Sequence, residues 1–170
     1  QTASSGWPWD HAVWVNRRYR ETRSPALSYR HSRFVTVDSL HPAWLACRSF
    51  LAFFELKRLL AREPFDVVHA HARGGFLVGL AVARFLRRPV VFTNHMYARR
   101  TGMYRRATRA RRFHTVLLTP NMARHYGVDP DAPRVSIISE CCSDAFFQEP
   151  MDADDFGERD GVVRLLTPYL

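Results

Sequence analysis

Apolar positions in the middle of the chain follow two alternating spacings. Residues 42–62 ("PAWLACRSFLAFFELKRLLAR") place apolar side chains at helical intervals, and Arg62 stands in the last turn before Pro64, so this spacing predicts a helix. Short runs rich in β-branched residues come later and predict strands. These runs are "FDVVHAH" (65–71), "PVVFTN" (89–94), "HTVLLT" (114–119) and "RVSII" (134–138).

The segments between these runs have the pattern of helices. "GGFLVGLAVARFLRR" (74–88) is apolar around most of its circumference, which predicts a heavily buried helix. Residues 98–113 are rich in arginine and predict a basic helix. In "TPNMARHYG", Thr119 is a natural N-cap, Pro120 suits the first helical position, and Gly127 suits the residue after the helix.

Strands that alternate with helices predict an α/β fold with an open parallel sheet and helices on both faces. The chain of 170 residues has the length of one domain. Residues 1–33 have no clean periodicity and predict a loop with short elements, whereas "FVTVDS" (34–39) predicts a short strand. The acidic stretch 149–161 predicts a linker or surface loop, and residues 162–170 then open another element.

Charge and cysteine content narrow the class of partner and compartment. The formal net charge is +9, and of the 25 basic residues all but Lys57 are arginine, so the surface attracts anions such as phosphate, anionic lipid or nucleic acid. Solvated basic helix faces explain the same charge without any partner. The three cysteines, Cys47, Cys141 and Cys142, give no disulfide framework, which favours a reducing, cytosolic setting. The longest apolar stretch is interrupted by Arg84 and is too short to span a bilayer.

Three histidines follow two neighbouring predicted strands. His69 and His71 share one face of their strand, and His95 comes directly after the next strand. Since open parallel sheets bind ligands at the carboxyl ends of their strands, we expect these imidazoles to border one crevice. A metal site has little support, because the pair lacks a nearby third ligand. Packing or hydrogen bonding to loops explains the histidines equally simply.

The remaining motifs are weaker evidence for a function than the histidines. In a helix over 98–113, Arg105, Arg109 and Arg112 lie on one side and are candidates for contact with anionic lipid or phosphate. A nucleic-acid partner is not expected, because the sequence shows neither aromatics interleaved on a sheet nor a recognisable helix-turn-helix. The sequence has neither a P-loop motif nor G-x-G-x-x-G, so a P-loop enzyme and a Rossmann dehydrogenase have no support.

The order of these segments resembles a known family. "LKRLLAREPFDVVHAHARGGFLVGLAVARFLRRPVVFTNHMY", followed by residues 113–147, is similar to the N-terminal domain of group 1 (family 4) glycosyltransferases of the GT-B fold. The resemblance implies one Rossmann-like half of a GT-B enzyme that transfers a sugar, hexosyl in type, from a nucleotide-sugar donor with retention and without a metal or other cofactor. It implies that His95 contacts the donor sugar as the catalytic histidine and that His69 and His71 lie on the cleft side. Neighbouring candidates for substrate binding are Arg73, Gly74 and Asn94.

The chain also departs from that family. The family's first strand with its glycine-rich loop, and its C-terminal nucleotide-binding domain, are not recognisable, and "SECCS" (139–143) replaces the expected "PNGVD". We therefore expect an acceptor-side domain over residues 1–148 that lacks its first strand, a linker over 149–161, and the start of a second domain or a closing strand over 162–170. Such a chain alone is not expected to be competent for transfer, and its missing C-terminal domain is an expected partner.

Two hypotheses about function remain open at this stage. The first is a glycosyltransferase domain that acts on a nucleotide sugar and a glycan, lipid or small-molecule acceptor. The alternative is a non-catalytic module of the same fold that binds a glycan, an anionic lipid or a protein. Either fits a cytoplasmic protein with peripheral attachment to the inner membrane face through its arginines.

Overall fold

The structure, a computed structural model, describes residues 12–18, 28–35, 41–63 and 65–139. The strands are β1 (Ala12–Asn16), β2 (Ser28–Ser32), β3 (Val68–His71), β4 (Val90–Asn94), β5 (Phe113–Leu117) and β6 (Val135–Ile137). The helices are α1 (Pro42–Arg62), α2 (Ala72–Ala81), α3 (Gly102–Ala107) and α4 (Pro120–Tyr126), and a π-helical turn (Val82–Leu86) extends α2.

The described strands form two parallel sheets. β1 pairs with β2, and a second sheet has the order β3-β4-β5-β6, with parallel pairing throughout. From β3 to β6 each strand is joined to the next through a helix, as parallel pairing requires. The prediction of an α/β fold of Rossmann-like type is confirmed.

An aromatic cluster forms the centre of the core between the larger sheet and its helices. The Phe76 ring of α2 lies 5.1 Å from Phe92 of β4, 5.8 Å from Phe113 of β5 and 4.3 Å from Tyr104 of α3, measured between ring centroids. Phe76 and Phe92 are each 1% exposed. Helix α2 lies close to the sheet because Gly79 faces it, and a Cβ at that position would lie 3.1 Å from a Val90 methyl group.

Two helix predictions are confirmed with their ends. Helix α1 covers Pro42–Arg62, with proline at the start and a basic residue in the last turn. The Thr119 hydroxyl accepts a hydrogen bond of 3.2 Å from the Met122 N–H and caps α4. Gly127 ends α4 at φ 60°, a left-handed conformation that glycine adopts without strain.

The prediction of a basic helix over 98–113 is wrong in extent, because only Gly102–Ala107 is α-helical. After α3 the Thr108 hydroxyl donates to the Arg105 carbonyl at 2.8 Å, and the Arg109 N–H bonds three residues back at 3.1 Å. These contacts end the α-helix and continue the chain as turns. Arg112 then takes a left-handed φ of 64° and directs the chain into β5.

The short elements expected within residues 1–33 include the strands β1 and β2. The strand expected over 34–39 needs correction, because its described residues, Phe34 and Val35, lie in a turn. The Ser32 hydroxyl accepts hydrogen bonds from the N–H groups of Phe34 at 3.0 Å and Val35 at 2.8 Å, which ends β2 before that apolar pair. The predicted linker and final element (149–170) and the cysteines Cys141 and Cys142 lie outside the described residues. Within the described ranges, no helix has the length and apolar character needed to cross a membrane.

Candidate functional site

Three imidazoles meet at the carboxyl edge of the larger sheet. The register pairs His69 with Val91 and His71 with Thr93, so the two histidines of β3 stand beside the end of β4, which His95 follows. Their rings form a row, with centroids 4.1 Å apart between His69 and His71 and 5.3 Å apart between His71 and His95. The structure thus brings together the three histidines that the sequence marked.

His71 and His95 are joined by a direct contact. The His71 Nδ1 atom lies 3.0 Å from the His95 Nε2 atom, and the two rings are stacked at an interplanar angle of 26°. One nitrogen of this contact donates and the other accepts, so the two rings together hold one added proton at most while the contact lasts. The pair of rings therefore carries a net charge of either zero or +1.

His69 is held on the other side of the row. Its Nε2 atom lies 2.8 Å from the Thr93 hydroxyl, a partner that the sequence analysis did not single out. Burial lowers the pKa of His69 below its ordinary value, and the positive charge of His95 lowers it further. His69 is therefore a neutral hydrogen-bonding group at neutral pH.

The loop after His95 is fixed by helix α4. The Tyr126 hydroxyl donates to the Met96 carbonyl and accepts a hydrogen bond of 2.8 Å from the Ala98 N–H. A His125 ring nitrogen lies 2.9 Å from the Ala98 carbonyl. Since Tyr126 is 1% exposed, this anchor sets where the chain leaves His95. Sequence reasoning missed it, because "MARHY" gives no sign of a contact with a distant loop.

The exposed surface beside His95 carries two more polar groups. The Tyr97 hydroxyl lies 3.3 Å from the Thr119 hydroxyl, which bridges the ends of β4 and β5. Tyr97 is 55% exposed. The polar row at the carboxyl edge therefore extends from β3 across β4 to β5, beyond the three histidines predicted from the sequence.

The remaining predicted substrate residues lie in other surroundings. Arg73 lies against the Tyr104 hydroxyl, and Gly74 is buried in the first turn of α2. Asn94 follows Thr93 and so points to the opposite sheet face, where it is 4% exposed. Its carbonyl oxygen accepts the Met96 N–H at 3.2 Å, and its buried amide nitrogen has no hydrogen-bond partner among the described residues.

Burial and charge act on Tyr104 in opposite directions. Burial raises the pKa of the Tyr104 hydroxyl, and Tyr126 raises it further, whereas the nearby Arg73 guanidinium lowers it. Arg73 thus joins the first turn of α2 to Tyr104 of α3. The three arginines considered for anion contact lie on α3 and the turns after it. Arg105 and Arg109 are exposed, and the Arg112 guanidinium donates to the Arg87 carbonyl.

The junction between β3 and α2 has an unusual backbone. Ala72, directly after His71, has a φ of 57°. A left-handed conformation costs a non-glycine residue about 1–2 kcal/mol. Strain of this kind concentrates at functional sites, where it fixes a direction of the chain. Here it turns the chain from the histidine strand into the helix.

A cavity of about 1230 Å³ runs along the outer edge of β3. All of β1 and all of β3 line it, together with parts of α1 and α2. Its apolar lining includes Val13, Val15, Leu56, Leu60, Val68 and Val78, and its basic lining includes Arg17, Arg33 and Arg48. The Arg48 guanidinium donates to the Arg33 carbonyl at 2.9 Å, so it also braces the turn after β2.

The described side chains of the site do not form a metal-binding cluster. Within the described ranges, no group of three or more His, Cys, Asp or Glu side chains is arranged to hold a metal ion. The two histidine nitrogens that face each other are at hydrogen-bonding distance. What the arrangement offers chemically is a set of hydrogen-bond donors and acceptors, which suits hydroxyl groups.

These features define a Rossmann-like α/β domain with a polar row at the edge where open parallel sheets bind ligands. Comparison with known families is more specific. The family model described as Glycosyltransferase Family 4 matches residues 9–138, and the chain belongs to this family. Membership makes the chain a glycosyltransferase domain, whose substrates are a nucleotide-sugar donor and an acceptor. No curated protein matches the chain.

Proposed function

We propose that this chain forms the acceptor-side half of a retaining glycosyltransferase that moves a hexose from a nucleotide sugar to a glycan, lipid or small molecule. The observation that carries the proposal is the contact of His71 with His95, 3.0 Å apart at the ends of adjacent parallel strands in a family 4 chain. In this proposal His95 touches the donor sugar, and His69 and His71 line the cleft beside it.

The chemistry of the row supports this assignment. Sugar hydroxyls need paired donors and acceptors, which the imidazoles and the Tyr97 and Thr119 hydroxyls supply. An oxocarbenium-like centre gains stability from a neutral ring lone pair and loses it beside an imidazolium. The lowered pKa of His69 and the single added proton allowed to the His71–His95 pair both keep positive charge low.

The cavity along β3 supports the expectation of a further strand in this domain. Both β1 and β3 border the cavity along their whole lengths, and the apolar lining suits a strand buried on both faces. We propose that a parallel strand from a longer protein lies there and that a second Rossmann-like domain closes the cleft. In such a protein, the β3 amides should exchange hydrogen more slowly than in the 170-residue chain.

The test measures sugar transfer by the full-length gene product from radiolabelled UDP- and GDP-hexoses. We expect His95→Ala to lower turnover on the order of 100-fold, because a positioned group at the reacting centre is lost. His41→Ala, which removes an exposed imidazole just before α1, is the matched control and should keep wild-type turnover. Wild-type turnover in His95→Ala would remove that residue from the site, and an inverted product would exclude retention.

The same experiment separates the alternative from the enzyme. A non-catalytic binding module would bind glycan or nucleotide sugar and give no turnover in the wild-type full-length protein. Equilibrium binding of the same hexose donors is then measured by calorimetry. Binding without turnover would identify a binding module, and no binding would show that the protein does not recognise these donors.

A further inference from the structure

The outer face of α1 carries large apolar side chains that solvent reaches. Phe50 is 62% exposed, Leu51 38% and Phe54 41%. The inner face of the same helix is buried in the core, with Leu56 at 5%. A surface helix of a globular domain normally presents a polar outer face. The first half of α1 is apolar on both faces, which indicates a second contact besides the core.

The exposed apolar surface continues onto the π-helical turn after α2. Phe85 in this turn is 70% exposed. The Phe53 ring centroid lies 6.1 Å from that of Phe85 and 5.5 Å from that of Phe54, and Phe54 lies 4.8 Å from Phe50. The phenylalanine rings therefore form one connected surface across two elements. We name Phe50, Leu51, Phe54 and Phe85 the aromatic patch.

Exposed cations lie on the same two elements as this patch, and we name them the cationic rim. The rim consists of Lys57, Arg58 and Arg62 at the end of α1 and Arg84, Arg87 and Arg88 around the π-helical turn. The Arg84 guanidinium carbon lies 5.8 Å from the Phe85 ring centroid, so rim and patch are in direct contact at the π-helical turn.

The carboxylates of this helix and its C-cap are engaged elsewhere. Glu55 accepts the Arg33 N–H at 3.0 Å and the Ser32 hydroxyl, so it serves the turn after β2. Glu63, the residue after α1, forms an ion pair of 2.8 Å with Arg30. The charge that the outer face of α1 presents to solvent is therefore positive.

We propose that the aromatic patch and the cationic rim bind the surface of a lipid bilayer that contains anionic lipids. Aromatic side chains favour the level of the lipid headgroups, and arginine stems extend along apolar surface while their guanidinium groups reach phosphates. Apolar insertion combined with charge attraction is the established basis of interfacial binding. The chemistry of the surface therefore matches an anionic membrane in both its apolar and its charged component.

A second copy of the chain fits this surface less well. A two-fold interface would place the patch against itself and bring the Arg84, Arg87 and Arg88 groups of two copies together, which like charges oppose. The turn after α3, considered for the same role from the sequence, has charge without an aromatic patch. Arg105 and Arg109 are exposed there, but the aromatic residue of α3, Tyr104, is 8% exposed.

The experiment is flotation of the protein with vesicles of phosphatidylcholine alone or with 30% phosphatidylglycerol, roughly the anionic fraction at which surface charge attraction is pronounced. Wild type should float with the anionic vesicles and stay at the bottom with neutral ones. The variant Phe50→Ser/Phe85→Ser changes two exposed side chains, and Arg84→Glu/Arg88→Glu reverses two rim charges. Each should lower the partition coefficient at least about tenfold, whereas Arg105→Glu/Arg109→Glu, the matched control, should change it less than about threefold.

Several outcomes would overturn the proposal. Failure of wild type to float with anionic vesicles is one, and flotation that survives both patch and rim variants is another. Loss of flotation in the Arg105/Arg109 variant alone would assign the membrane contact to the turn after α3. A wild type that is dimeric in solution, with a monomeric Phe50→Ser/Phe85→Ser variant and no flotation, would identify a second copy as the occupant. The rim variant keeps every aromatic residue, so it tests the proposal even where serine at the patch impairs folding.

Discussion

The hydroxyl of Tyr126 in α4 accepts a 2.8 Å hydrogen bond from the backbone N–H of Ala98, three residues after His95. The same hydroxyl donates to the Met96 carbonyl, so one buried phenol holds both sides of the loop. The Ala98 residue is 7% exposed, and water does not readily replace this partner. The position of His95 therefore depends on a side chain that lies 31 residues further along the chain.

Tyr126→Phe should loosen the loop after His95. The substitution leaves the Ala98 N–H and the Met96 carbonyl unsatisfied, which costs about 1–3 kcal/mol of unfolding free energy. Hydrogen exchange of residues 95–100 should accelerate more than exchange in β4. Tyr104→Phe removes another buried phenol hydroxyl and serves as the control. Unchanged exchange in the 95–100 loop of Tyr126→Phe would contradict the anchoring role.

Stability should fall as acid protonates His69. A folded pKa below the ordinary value of about 6.5 means that the unfolded chain binds the proton more readily. The stabilising contribution of neutral His69 is complete above the unfolded-state pKa of about 6.5. It is lost as the pH falls from that value toward the lower pKa of the folded state. The groups that face His69 are the His71 ring and the Thr93 hydroxyl, and the electrostatic effect of His95 lowers the His69 pKa in the same direction as burial.

Thermal unfolding between pH 7.5 and 5, a range that brackets the ordinary histidine pKa of about 6.5, measures this effect. His69→Gln keeps a hydrogen-bonding group for Thr93 and cannot take the proton, so its melting temperature should fall less on acidification. His41→Gln removes an imidazole away from the row and should retain the wild-type slope. Equal slopes in wild type and His69→Gln would show that His69 does not carry the pH dependence.

Local patterns of the sequence predict the larger sheet and the histidine row well. Short β-branched runs, the Thr119 cap and the Gly127 stop act within a few residues, so they need no tertiary information. The strand β2 differs, because "SYRHS" has no apolar alternation. It is fixed from outside its own residues, by the Arg30–Glu63 ion pair and by the Ser32 hydroxyl against Glu55 of α1.

The candidate site likewise has features that the local sequence predicts and features that depend on tertiary contacts. That His69, His71 and His95 share one edge follows from strand period and parallel pairing. The Tyr126 anchor, the Thr93 partner and the direction of Arg73 toward Tyr104 depend on side chains brought together from distant helices and strands. Such contacts leave no local pattern, because each residue alone is compatible with many surroundings.

Glycine-to-alanine substitutions at Gly79 and Gly102 should change the stability of the protein in opposite directions. A Cβ at Gly79 would lie 3.1 Å from a Val90 methyl group and 3.2 Å from the Ala70 Cβ, and both neighbours are buried. Gly79→Ala should therefore destabilise by about 1–3 kcal/mol, despite the better helix propensity of alanine. At Gly102 a Cβ meets nothing within 4 Å, so Gly102→Ala should stabilise by about 0.5 kcal/mol. Urea denaturation of both variants checks the contrast, and a stabilised Gly79→Ala would contradict it.

Ala72→Gly should stabilise the protein, because glycine adopts the φ of 57° at this position without steric cost. The relief of about 1–2 kcal/mol exceeds the added entropy of the unfolded chain, which gives a net gain of about 0.5–1 kcal/mol. Ala81→Gly in the same helix, where φ is −64°, should instead lose about 1 kcal/mol. The midpoint of guanidinium unfolding measures both changes.

The same pair of variants tests whether the strain at Ala72 serves the histidine row. Residue 72 sets the direction in which the chain leaves His71, and His71 contacts His95. If the left-handed alanine fixes that direction, Ala72→Gly should combine higher stability with a wider range of His71 ring positions. The expected signature is a weaker His71–His95 contact, seen as weaker ring-to-ring NOEs between the two imidazoles, while Ala81→Gly leaves these NOEs as in wild type. Unchanged NOEs in Ala72→Gly would show that the strain has no part in positioning the pair.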